Sequence, residues 1–118
     1  MSVTENYDVY YPYMKLAQKY QKPSLFHCDS KNSPFSSPAK MYEFAKRLKQ
    51  DGINTPVIMG HMGMGSKNDN YAGLQILIDS IKNKDANLYA DTAWVDEDVL
   101  IDALKRLKKE TKNGINRI

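Results

Sequence analysis

His27 and His61 stand where imidazole can do chemistry. Each stands at the end of a short apolar strand pattern, Ser24-Leu25-Phe26-His27-Cys28 in one case and Thr55-Pro56-Val57-Ile58-Met59, emptying into Gly60, in the other. Neutral imidazole ligates Zn²⁺ and similar divalent ions, and adjacent parallel strands about 4.8 Å apart can aim two such groups at one ion. A catalytic zinc usually holds three protein ligands and keeps one position for water. Asp91 follows a third run, Asn87-Leu88-Tyr89-Ala90, and is placed to complete such a set or to act as a general acid or base. A strand-end aspartate is also a good turn former, and Asp29, two residues beyond His27, has the same two readings and is taken with Trp94 as a substrate-binding candidate. Trp94 lies just after the third run, where a large aromatic serves either as a substrate wall or as plain packing.

Other residues near the histidines carry weaker signals. Gly60, Gly63 and Gly65 form a GxxGxG around His61, which permits a sharp turn or a close backbone approach but is not a dinucleotide fingerprint. A phosphate cradle at the start of the following helix is a further reading, without the lysine and hydroxyl of a P-loop. Met59, Met62 and Met64 read as packing residues. Cys28 alternates to the opposite side of its strand from His27, so a thiolate and imidazole dyad is not expected there.

The elements that must position these groups follow from periodicity. Tyr13, Leu16, Ala17 and Tyr20 recur at helical spacing after Pro12, which predicts a helix over about residues 10–21 with the proline in its first turn. Ser37 reads as an N-cap with Pro38 at the first helical position; Met41, Phe44, Ala45 and Leu48 form one stripe, and Gly52 stops the helix. A third helix carries Tyr71, Leu74, Leu77, Ile78 and Ile81. A fourth begins at Asp96, carries Val99, Leu100, Ala103, Leu104 and Leu107, and ends by Gly114. Ile115 to Ile118 reads as the beginning of another strand. Strands alternating with helices of this length predict right-handed crossovers and a parallel sheet of α/β class, covered by helices and buried on both faces. Functional groups in such sheets gather beyond the carboxyl ends of the strands.

Composition sets the outer limits. The 118 residues suit a single domain, 1–118, but fall well short of the roughly 250 of a closed (β/α)₈ barrel. Seventeen Lys and Arg against 14 Asp and Glu give a net charge of +3, scattered along helices and densest from Lys105 to Lys112. That density complements a helix dipole and solvates a face, so no nucleic-acid partner is expected. The single cysteine, Cys28, forms no intramolecular disulfide and fits a reducing compartment. With no signal-peptide pattern and no apolar run of about 18 residues, the chain reads as cytoplasmic, with no membrane partner.

The segments Leu25-Phe26-His27-Cys28-Asp29, Pro56-Val57-Ile58-Met59-Gly60-His61-Met62-Gly63 and Asn87-Leu88-Tyr89-Ala90-Asp91-Thr92-Ala93-Trp94 resemble, in order and spacing, the amidohydrolase-related family of metal-dependent hydrolases. The resemblance spans nearly the whole chain, and the Gly60-His61-Met62-Gly63 segment is its most specific part. It implies part of a (β/α)₈ TIM barrel, about strands five to seven and the start of eight. It also implies a divalent ion, commonly zinc, that activates a water against an amide or ester-like small-molecule substrate; some members of the family decarboxylate instead. His27 then matches the fifth-strand ligand and His61 the sixth-strand ligand, while Asp91 and Trp94 match pocket positions after the seventh strand. The family's first-strand His-x-His pair, its fourth-strand ligand and its eighth-strand aspartate have no counterpart here. The chain therefore reads as a C-terminal-side fragment of such an enzyme, inactive by itself. The rival expectations are a non-enzymatic half-barrel that self-associates or pairs with a complementing chain through its open sheet edges, and a small α/β domain holding a phosphate-bearing ligand at Gly60 to Gly65.

Overall fold

A computed structural model describes residues 2–28, 33, 36–63 and 71–118. The elements alternate as expected: α1 (Tyr7–Lys19), β1 (Ser24–Phe26), α2 (Pro38–Gln50), β2 (Val57–Met59), α3 (Ala72–Asn83), β3 (Leu88–Ala90) and α4 (Glu97–Glu110), with 3₁₀ turns at Gly60–Gly63 and Gly114–Arg117. The three strands form one parallel sheet in chain order, with Ser24, Val57 and Leu88 in register, then Leu25, Ile58 and Tyr89, then Phe26, Met59 and Ala90. The chain is thus α/β with an open three-stranded parallel sheet.

Local chemistry accounts for the helix limits. The Ser37 Oγ accepts the Lys40 main-chain N–H at 3.3 Å ahead of Pro38, so the start of α2 is capped as its sequence predicts. Its end closes on Gly52 at φ +85°, with the Ile53 N–H donating to the Leu48 carbonyl at 2.8 Å and the Gly52 N–H to the Lys49 carbonyl at 3.1 Å. In α1 the start lies earlier than expected, so Pro12 sits inside the helix rather than in its first turn. Pro12 is exposed, and its missing N–H removes one bond, to Asp8. The buried Tyr7 and Met14 offset that loss; Tyr7 donates to Asp51 Oδ2 at 2.6 Å beneath the Arg47 guanidinium, tying α1 to the end of α2. Burial, and then that bond to Asp51, pushes the Tyr7 phenol above its usual pKa.

Neighbouring strands taken in chain order place their crossover helices on the same side of the sheet. On that side Val57, Met59, Leu88 and Ala90 are buried against Met41, Phe44 and Leu48 of α2, Leu74, Leu77 and Ile78 of α3, and Val99, Ala103 and Leu107 of α4. The alternate row, Leu25, Ile58 and Tyr89, points the other way, and Leu25 is 63% exposed. Burial on both faces is therefore corrected: among the described residues the crossover helices cover one face, and β1 is a partly exposed edge. A second correction concerns Ile115 to Ile118. Gly114–Arg117 is a 3₁₀ turn, and Arg117 reaches sideways, donating from Nη1 to Asn87 Oδ1 at 2.8 Å with its guanidinium over the Tyr89 ring. The segment braces the start of β3 instead of adding a strand.

Candidate functional site

The side-chain alternation that buries Met59 and Ala90 and half-buries Phe26 turns the residue after β1 toward the uncovered face, and brings His27 to the carboxyl end of the sheet beside His61 and Asp91. The His27 and His61 rings meet edge to face with centroids 5.1 Å apart. Cys28 is fully buried, on the other side of the backbone, as expected of a core residue. The Ser36 hydroxyl donates to the His27 carbonyl.

His61 is held more tightly. Its main-chain N–H donates to Asp91 Oδ1 at 2.7 Å, and its Nδ1 lies 2.8 Å from the Ala93 carbonyl. A carbonyl only accepts, so Nδ1 carries the proton in this contact, and in the neutral ring Nε2 keeps the lone pair. This is the arrangement in which a main-chain oxygen orients an imidazole for ligation through its other nitrogen. Trp94 then stacks on the His61 ring, centroids 5.5 Å apart and planes 19° from parallel. At 90% exposure Trp94 lies outside the core, and its contact is with the His61 ring.

The backbone here is under strain. His61 and Met62 have φ of +56° and +54°, and Trp94 has +63°. Left-handed backbone costs a residue with a side chain about 1–2 kcal/mol. The fully buried Met62 and the Asp91 bond offset that cost, and strain of this kind gathers at ligand sites. Asp91 Oδ1 also accepts the Ala93 N–H at 3.3 Å, so this carboxylate does the turn-forming work foreseen for it while standing beside His61.

Not every candidate joins the cluster. Asp29, Met64 and Gly65 lie outside the described residues, and with them the phosphate cradle ahead of α3. Met59 and Met62 are core residues. Among the described residues no group of three or more His, Cys, Asp or Glu side chains is arranged to hold a metal ion, so the two imidazoles form a pair and not a complete site. The Ala93 carbonyl and the stacking of Trp94 were invisible in the sequence, because they depend on how the segment after β3 folds over the one after β2, and so was the Ser36 hydroxyl, which bonds back to the end of β1. No protein-family model, curated protein or solved structure matches the chain. Function therefore rests on this geometry and on the motif order.

Proposed function

We propose that His27 and His61 are two ligands of a divalent-metal site of the amidohydrolase-related type, on a sheet that corresponds to part of a (β/α)₈ barrel. The observation that carries the proposal is the Nδ1 of His61 engaged by the Ala93 carbonyl, with the His27 ring, at the exit of the neighbouring strand, 5.1 Å away between centroids. Chain-order parallel strands with helices on one side suit a barrel segment better than a doubly wound sheet, whose ligand crevice needs a reversal of strand order. A bound zinc would lower the pKa of its water to about 7 and polarise a scissile carbonyl. On this reading the chain's own residues orient Nε2 of His61, hold the turn through Asp91, which also stands within reach as an acid or base, and wall the substrate with Trp94. Two imidazoles are fewer than the three protein ligands of a catalytic zinc, so hydrolysis requires a ligand beyond the described residues, Asp29 or another chain segment.

Trp94 is the only tryptophan, which makes its emission a local reporter of His61. Calorimetric titration with Zn²⁺ should show one ion per chain, and Co²⁺ should quench Trp94 in parallel. His27→Ala and His61→Ala should each weaken binding by roughly tenfold or more. Equal weak binding by the wild type and the double variant would end the assignment.

A second reading is favoured by the uncovered sheet face: pairing with a second copy at the β1 edge, where Leu25 is 63% exposed at the end of the row it forms with Ile58 and Tyr89. Sedimentation equilibrium should then show a dimer that Leu25→Lys dissociates. A monomer at all concentrations removes this reading and leaves the metal pair untouched.

A further inference from the structure

At the end of the sheet opposite the histidines, the ends of α2, α3 and α4 enclose a cleft of about 580 Å³. Its charged lining is Lys49, Lys82, Lys84, Lys112 and Arg117 against the single carboxylate of Glu110. That carboxylate is already engaged: Arg106, outside the cleft, donates from Nε to Oε2 at 2.9 Å, and this bond, reinforced by the nearby charges of Arg106, Lys82 and Lys109, holds the Glu110 carboxyl below its usual range. The surplus of basic groups in this one cleft exceeds the +3 of the entire chain. Helix C-termini account for part of it, since Lys49 Nζ donates to the Lys84 carbonyl at 2.9 Å. Arg117 is positioned by neutral partners, Asn87 and the Tyr89 ring, so its charge stays uncompensated by them.

We infer that this cleft binds a small polyphosphate, a ligand with two or more adjacent phosphate groups. Several ammonium groups around one concavity repel one another, and a multivalent anion relieves that repulsion at every one of them. Lysine is a good point-charge partner for phosphate, and the volume is that of a small-molecule site, larger than one phosphate needs. The basic groups come from three helix ends around a concavity instead of running as a stripe, which suits a compact ligand better than a nucleic-acid strand.

Calorimetric titration with inorganic tripolyphosphate at about 150 mM salt, where exposed charges more than ~8 Å apart are screened, tests this. The wild type should bind one tripolyphosphate per chain. Lys82→Gln with Lys112→Gln should weaken binding roughly tenfold or more, and each single change roughly threefold, which keeps the test open if the double variant fails to fold. Lys105→Gln with Lys108→Gln removes the same charge from the exposed side of α4 and should change affinity by less than about twofold at this salt. Absence of wild-type binding, or equal loss in the two double variants, would overturn the proposal. Tighter binding of a 20-nucleotide single strand that tripolyphosphate fails to displace would overturn it in favour of a nucleic-acid surface.

Discussion

Replacing Phe44 with alanine should cost about 3–5 kcal/mol of folding free energy, a large share of the roughly 5–15 kcal/mol of a small domain. Phe44 is 1% exposed and meets three other aromatic rings edge-on: Phe26 at 5.4 Å, Tyr7 at 5.8 Å and Tyr10 at 6.0 Å between centroids. Those rings come from α1, α2 and β1, so truncation leaves a cavity at the junction of three elements that cannot all collapse into it. Phe26 immediately precedes His27, and the cost should reach the histidine pair. In urea the midpoint should fall with an unchanged slope, and the cross-ring signal between His27 and His61 in NMR should weaken. Phe44→Leu keeps most of the volume and should cost less than about 1.5 kcal/mol. A loss below about 1 kcal/mol for the alanine variant would show that the aromatic cluster is not the anchor of β1.

Gly73→Ala should cost about 3 kcal/mol or more, although alanine is the better helix former. A Cβ at Gly73 would stand 1.8 Å from the Met62 carbonyl oxygen and 2.9 Å from the Gly63 Cα, and both are backbone atoms. The first turn of α3 must therefore move away from the loop that carries His61. Gly52→Ala is the comparison that isolates this effect. Gly52 has φ +85° but nothing within 4 Å of a built Cβ, so it should lose only the conformational term, about 1–2 kcal/mol. Calorimetry should place the Gly73 variant roughly 10 °C or more below the wild type. It should also bind Zn²⁺ more weakly, whereas the Gly52 variant should differ little in affinity. Equal melting shifts in the two would mean that α3 and the histidine loop are not in contact at this point.

The sequence carried the alternation of elements and the cap of α2 because those rest on local rules. Pro38 after Ser37, and Met41, Phe44, Ala45 and Leu48 at helical spacing, all act within one helix, and all four of those apolar residues are buried. The three strands were legible for a similar reason: each is a short apolar run entered from a helix end and left at a polar residue. Pro12 misled, since its local preference for a first turn lost to the burial of Tyr7 and Met14 on the far side of the same helix. Ile115 to Ile118 misled likewise. Its residues have strand character, but pairing needs a partner edge in register, and Arg117 instead ties the segment to Asn87 and Tyr89.

By itself the sequence determined that His27, His61 and Asp91 lie at the exits of their strands, because strand exits are set by local composition, although the register sets Gly60, one residue before His61, level with His27 and Asp91. It also determined that Cys28 faces away from His27, because side chains alternate along extended backbone. Only the tertiary structure decided that the two rings meet, that the Ala93 carbonyl takes the Nδ1 proton of His61, and that Trp94 stacks on that ring without entering the core. It alone gathered basic residues that lie far apart along three helices into one cleft with a single carboxylate. The physical reason is common to both outcomes: ligation geometry and electrostatic repulsion act through space over a few ångströms, and it is the crossovers of the parallel sheet that convert separation along the chain into distances of that size.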